Sequence, residues 1–336
     1  MEPIQFFPDP HPQNPENPAP AQIPDSIRLY NARRGVNRCM LALFAMFFIS
    51  QFLGAFVIGI LQELAPALME QTWFYLLIVE FVMYGIALPC GWLILKKLPH
   101  SVPQPADLRL WQWLILFLTG LGLMLAGSWI GQFMEDLLTA ILHIPTPPTD
   151  VVDSSFSSSP LWLNIISTVL LAPILEEFAF RKLLLDRLHP YGETLAALTS
   201  AIGFGLYHGN FQQCFYAGLL GYLLAVLYLR TGRLRYTIAI HMGINLLMGV
   251  VSFLLTKYAE SGYIWVSFLN ALYMCLMIAG IICLLIVASL FRQRGKREAG
   301  MESVPKGKTA AALFGNAGFI LYAILTLLCC FLMLYN

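Results

Sequence analysis

Apolar residues run along this chain in long blocks rather than in short amphipathic patterns. Nine blocks stand out, at 40–61, 73–95, 111–133, 161–180, 195–208, 211–229, 236–256, 264–290 and 311–334. A helix that crosses the hydrocarbon of a bilayer needs about 20 apolar residues. Eight of the blocks reach or nearly reach that length, and the block at 195–208 is the short one. The pattern predicts an all-α polytopic membrane protein with about nine transmembrane helices, or eight if the short block does not cross. Inside the nine blocks the only charged residues are Glu80, Glu176 and Glu177.

Between the blocks the basic residues fall on alternate sides. Of the 20 Lys and Arg residues, 19 lie before the first block or in the loops after the second, fourth, sixth and eighth, and Lys257 alone lies on the other side. Positively charged loops stay in the cytoplasm, so the N-terminus is expected to be cytoplasmic and the C-terminus outside. The first block begins about 40 residues in and is too long for the apolar part of a cleaved signal peptide. The polar stretches suggest four regions. Residues 1–38 form a cytosolic tail whose proline-rich part, 1–27, is expected to be disordered. Residues 39–160 hold the first membrane helices and an outer Pro- and Ser-rich loop at 144–160. Residues 161–256 hold the polar membrane residues, and 257–336 hold the last helices around a basic cytosolic loop at 292–309.

Composition narrows the class further. Hydrophobic residues make up 58% of the 336 and charged residues 12%, with a mean hydropathy of +0.69. A soluble fold of this size could not bury so much apolar surface, which excludes an ordinary cytosolic enzyme. The net charge of +1 gives no reason to expect nucleic acid as a partner. The seven cysteines contain no C-x-x-C pair and sit in or beside apolar blocks, so they read as packing residues rather than as disulfides or zinc ligands.

Ionisable groups in a bilayer are costly and call for a reason. In LAPILEEFAFRKLLLDR, Glu177 and Arg181 are four apart on one helix face, the favourable order for an ion pair. Glu176 points about 100° away. The natural division has Arg181 holding Glu177 while Glu176 faces the bundle interior. The plain alternative is that both acids simply open a cytosolic loop. In AIGFGLYHGN, Phe204 and His208 share a face, and a lone histidine there is often just a helix-end residue. In RYTIAIHMGINLLMG, His241 and Asn245 share a face deep in an apolar helix, and interhelical hydrogen bonding alone would account for them. Together they are parts for activating a water and stabilising an oxyanion. Neither a Ser-His-Asp arrangement nor H-E-x-x-H is present. Glu80 falls outside these motifs.

Three motifs in this order, Glu176-Glu177-x-x-x-Arg181, Phe204-x-x-x-His208 and His241-x-x-x-Asn245, resemble the CPBP family of membrane proteins. It includes the type II CAAX prenyl proteases and the Abi bacteriocin-processing or immunity proteins. The run Leu229–Leu234 is similar as well, and the resemblance covers roughly 160–250. It implies a CPBP-like core and an intramembrane endopeptidase acting on a membrane-associated protein or peptide in the lipid bilayer. Glu176 would be the general base on water and His208 would help to hold that water. His241 and Asn245 would form the oxyanion hole, with Glu177, Arg181 and Phe204 as structural motif positions. If a metal bound, Glu176, His208 and His241 would be its ligands, but Asn is a poor zinc ligand and the expectation is no tightly bound metal and no cofactor. No eukaryotic targeting signal appears, so a bacterial plasma membrane is the expected location. The main alternative is a catalytically silent immunity or scaffold protein of the same fold. A proton-coupled transporter is disfavoured by the absence of internal repeats. The motif pairing also demands that His208, fourteen residues along its block, lie close to Glu176 and His241.

Overall fold

The computed structural model describes residues 23–144, 160–258, 263–293 and 303–335. No strand occurs among the described residues, and all nine apolar blocks fold into helices. In chain order these are α1 (Asp25–Leu64), α2 (Thr72–Leu95), α3 (Leu110–Leu142), α4 (Leu161–Tyr191), α5 (Glu193–Tyr207), α6 (Phe211–Thr231), α7 (Leu234–Leu255) and α8 (Ile264–Gln293). A short α9 (Thr309–Phe314) and α10 (Ala317–Met333) complete the chain. Seven of these helices, α1 to α4 and α6 to α8, are long and apolar enough to cross a membrane, and the chain is an integral membrane protein. Residues 1–22 of the expected disordered tail lie outside the described residues, as do 145–159 of the outer loop and 294–302 of the basic loop.

The structure differs from the sequence expectation at three helices. First, residues 25–38, assigned to the tail, are the start of α1. The prolines stop at Pro24, and the next residues bury Ala32, Val36 and Cys39 against the core. Second, the block at 311–334 is broken at Gly315–Asn316. The Asn316 side chain caps α10 by accepting from the Phe319 N–H at 2.9 Å, and donates to the Leu313 carbonyl of α9 at 2.8 Å. Third, α5 has 15 residues. At about 1.5 Å per residue it is shorter than the roughly 30 Å hydrocarbon core. It packs inside the bundle, burying Leu195, Ala196, Ala197, Phe204 and Leu206.

Glycines let the central helices touch through their backbones, the usual device where lipid gives helices no hydrophobic reason to associate. Gly122 of α3 faces the Gly280 backbone of α8, while Gly127 and Gly131 face the backbones of Tyr216 and Gln212 on α6. Gly205 of α5 lies against the Cys214 carbonyl and Gly218 of α6 in the same way.

Five stretches widen to π-helical turns: Ile49–Leu53, Phe81–Ala87, Ile165–Leu171, Phe178–Leu185 and Leu246–Val251. Two have a visible cause. In α2 the Leu88 N–H reaches back five residues to the Met83 carbonyl, and Pro89 comes next. In α4 the Ala172 N–H reaches back five residues to the Ser167 carbonyl, and Pro173 comes next. A proline ring clashes with the carbonyl four residues back and donates no hydrogen bond, so the turn before it opens. Such turns recur at functional sites, and these two flank the polar residues of the membrane core.

Candidate functional site

The acidic pair of α4 divides as its helical geometry requires. Glu177 and Arg181 are completely buried and paired through two contacts, Nε to Oε2 at 3.0 Å and Nη2 to Oε1 at 3.2 Å. The guanidinium also donates through Nη1 to the Ser200 hydroxyl of α5 at 2.7 Å and lies over the Phe204 ring at 5.5 Å. A buried ion pair is tolerable only when its remaining donors and acceptors are met, and Ser200 and His241 meet them here.

His241, on α7, connects the two carboxylates. Its Nδ1 lies 3.2 Å from Glu177 Oε1. An ionised carboxylate only accepts, so Nδ1 carries the proton and donates. Nε2 is thereby turned toward Glu176, 3.7 Å from Oε2. The other Glu176 oxygen, Oε1, accepts from the Tyr84 hydroxyl of α2 at 3.4 Å. Glu176 keeps about 20% of its side chain exposed while Glu177 keeps none. It borders a cavity of about 10 Å³, lined by Met46, Met83, Tyr84, Leu88, Glu176, Ala179, Phe180 and Tyr207. That is room for about one water molecule.

His208 caps α5. Its Nδ1 bonds the Phe204 carbonyl at 2.9 Å, so Nδ1 is the donor and Nε2 is left as an acceptor. The Phe204 ring stands edge-on to both histidines, with centroids 5.0 Å from His208 and 5.8 Å from His241. Phe204 is therefore the spacer between them. His208 itself makes no hydrogen bond or ion pair with Glu176, Glu177 or His241 among the described residues. Beyond it, Gly209 takes φ 67° and Asn210 caps α6 by accepting from the Gln213 N–H at 2.8 Å. A left-handed glycine makes this tight reversal possible, and it returns the chain toward the core directly after the histidine.

Asn245 lies one turn beyond His241, and its Nδ2 donates to the Thr168 carbonyl of α4 at 2.8 Å. The reason lies in the π-helical turn. Ala172 serves the Ser167 carbonyl, and Pro173, next in that register, has no N–H to offer Thr168. Asn245 supplies the missing donor and keeps its second amide N–H.

Two placements bear on a metal. His208 makes no direct hydrogen bond or ion pair with Glu176 or Glu177, and no group of three His, Cys, Asp or Glu side chains able to hold an ion occurs among the described residues. As arranged, these residues do not fit a metal centre.

Of the seven residues singled out by sequence, Glu176, Glu177, Arg181 and His241 form one connected chain of contacts. Phe204 and His208 join it through ring contacts, and Asn245 joins through the α4 backbone. The sequence reading missed Tyr84 on α2, Ser200 on α5 and the Thr168 carbonyl on α4. Glu80 lies outside the three motifs. It accepts from the Ser167 hydroxyl and so fastens α2 to α4 one turn before Tyr84. An isolated carboxylate in an apolar block was the one signal in the sequence that pointed to this helix. Residues 158–247 match the family model described as Type II CAAX prenyl endopeptidase Rce1-like. No curated protein and no solved structure matches the chain.

Proposed function

We propose that this chain, whose residues 158–247 match the Rce1-like type II CAAX prenyl endopeptidase model, is an intramembrane endopeptidase of the CPBP/CAAX protease kind that cleaves a membrane-associated protein or peptide. The observation that carries this reading is the inequality of the two adjacent carboxylates. Glu177 is neutralised by Arg181, whereas Glu176 faces a water-sized cavity with no Lys or Arg bound to it among the described residues. A carboxylate so placed can take a proton from water as the water attacks the scissile carbonyl carbon. The same proton then passes to the leaving amine, which restores Glu176 and balances the reaction. His208 presents Nε2 as an acceptor on the attacking side. The second N–H of Asn245 supplies a donor for the oxyanion, and His241, whose Nδ1 proton is committed to Glu177, supplies one through Nε2 in its imidazolium form. Glu177 and Arg181 act through His241 by fixing its proton on Nδ1. The reading uses no metal, because these side chains do not assemble a donor set for one.

A silent membrane scaffold of the same fold is the second reading, and the absence of a direct hydrogen bond between His208 and Glu176 among the described residues is the observation that favours it. One experiment separates the two. Membranes carrying wild type or Glu176→Gln are compared by proteomics in the presence of a chelator. The protease reading expects new termini that are about a hundredfold or more scarcer in the variant. Equal products in both would leave the scaffold.

A further inference from the structure

The matched segment begins at residue 158, yet one side of the Glu176 carboxylate is contacted from outside it. Oε2 faces His241 within the segment, and Oε1 accepts from Tyr84 on α2, 92 residues earlier in the chain. Tyr84 and Tyr207 are the other polar residues lining the water-sized cavity that Glu176 borders. The cavity is thus on the Tyr84 side of the carboxylate. Two features hold α2 in register there. The Ser167 hydroxyl of α4 donates to Glu80, one turn before Tyr84. The π-helical turn Phe81–Ala87, opened ahead of Pro89, contains Tyr84 itself.

We propose that Tyr84 is a positioning residue for Glu176: its hydroxyl fixes Oε1 at the edge of the cavity, so that the carboxylate presents its accepting lone pair to a water held there. The catalytic segment is then incomplete without α2. This inference rests on Glu176 being the base, and its test is chosen to remain decisive if that role fails. Tyr84→Phe removes one oxygen and keeps the ring, so packing is preserved. Wild type, Tyr84→Phe, Glu176→Gln and the double variant are purified as full chains in detergent, with folding checked by thermal melt.

The first readout is infrared. The wild-type minus Glu176→Gln difference spectrum isolates the Glu176 carboxyl band, and Tyr84→Phe should move it. The second is cleavage of a fluorogenic farnesylated CAAX peptide. Tyr84→Phe should lower kcat about tenfold, the lower end for a hydrogen bond to a charged group. KM should stay nearly constant, and Tyr84→Phe should add no further loss in the Glu176→Gln background. An unmoved band overturns the proposal. A moved band with kcat unchanged, or an equal further loss in the double variant, also overturns it. If Glu176→Gln cleaves like wild type or the peptide is not cut, the base assignment or the substrate class is at fault, and the band alone decides whether Tyr84 holds Glu176.

Discussion

At the scale of the residue, Asn245 is proposed to carry two duties. It meets a backbone carbonyl that Pro173 leaves without a partner, and on the proposed reading its second N–H serves the oxyanion. Asn245→Ala should therefore affect two separate measurements. The unfolding midpoint in detergent should fall by the equivalent of about 1–3 kcal/mol, the cost of a buried acceptor left unmet. The cleavage rate of the fraction that remains folded should fall as well, by the scale of a lost oxyanion donor, about a hundredfold. Glu177 contrasts with it. Glu177→Gln leaves Arg181 fully buried without its counter-charge, and breaking such a pair costs about 3–5 kcal/mol. The expected result is a sharp loss of folded yield on size-exclusion chromatography. Glu176→Gln, partly exposed at its cavity, should leave the yield close to wild type.

At the scale of the element, the two prolines explain more of the site than helical propensity does. Tyr84 and Thr168 are the residues five positions before Pro89 and Pro173, the positions whose carbonyls lose an N–H partner in the widened register. Pro173→Ala should restore a competing donor for Thr168 and let α4 tighten toward an ordinary α-helix. A one-residue change of register turns the remainder of α4 by about 100°, so Glu176 and Glu177 would leave their present faces. The variant should lose most of its cleavage rate and also melt at a lower temperature, because the buried Glu177 and Arg181 would turn away from His241 and Ser200. Asn245→Ala should then cost less stability in that background than in wild type, which a double-variant cycle measures. The membrane helices themselves were legible in the sequence, because lipid demands unbroken apolar runs. The pairing of Glu177 with Arg181 was legible too, since a spacing of four fixes a shared helix face. Tyr84 and Thr168 were not, because they reach Glu176 and Asn245 across 92 and 77 residues of chain. No local pattern encodes contacts at that range. The break at Gly315–Asn316 went unread for a different reason: two small polar-turn residues inside a strongly apolar block do not lower its hydropathy enough to divide it.

At the scale of the whole molecule, the distribution of basic residues predicts the orientation. A reporter fused after Asn336 should read as external and one fused before Met1 as cytoplasmic, from the 19-to-1 division of Lys and Arg. A cytoplasmic reading at both ends would mean that one short helix, α5 or α10, does not cross. The glycine contacts of α3 with α6 and α8 bring the scaffold together around the polar core, and the ion pair of α4 bears on how that core is made during synthesis. A ribosome delivers α4 before Ser200 and His241 have been translated. Charged side chains near the centre of a helix resist transfer from the translocon into lipid by about 2.5–3.5 kcal/mol each. Because Glu177 and Arg181 share one face of the same helix, they can leave the translocon as a neutral couple without waiting for the rest of the chain. Glu176 has no such companion within α4, and its partners come from other helices, Tyr84 of α2 and His241 of α7, so its surroundings are expected to be complete only once α7 has been added.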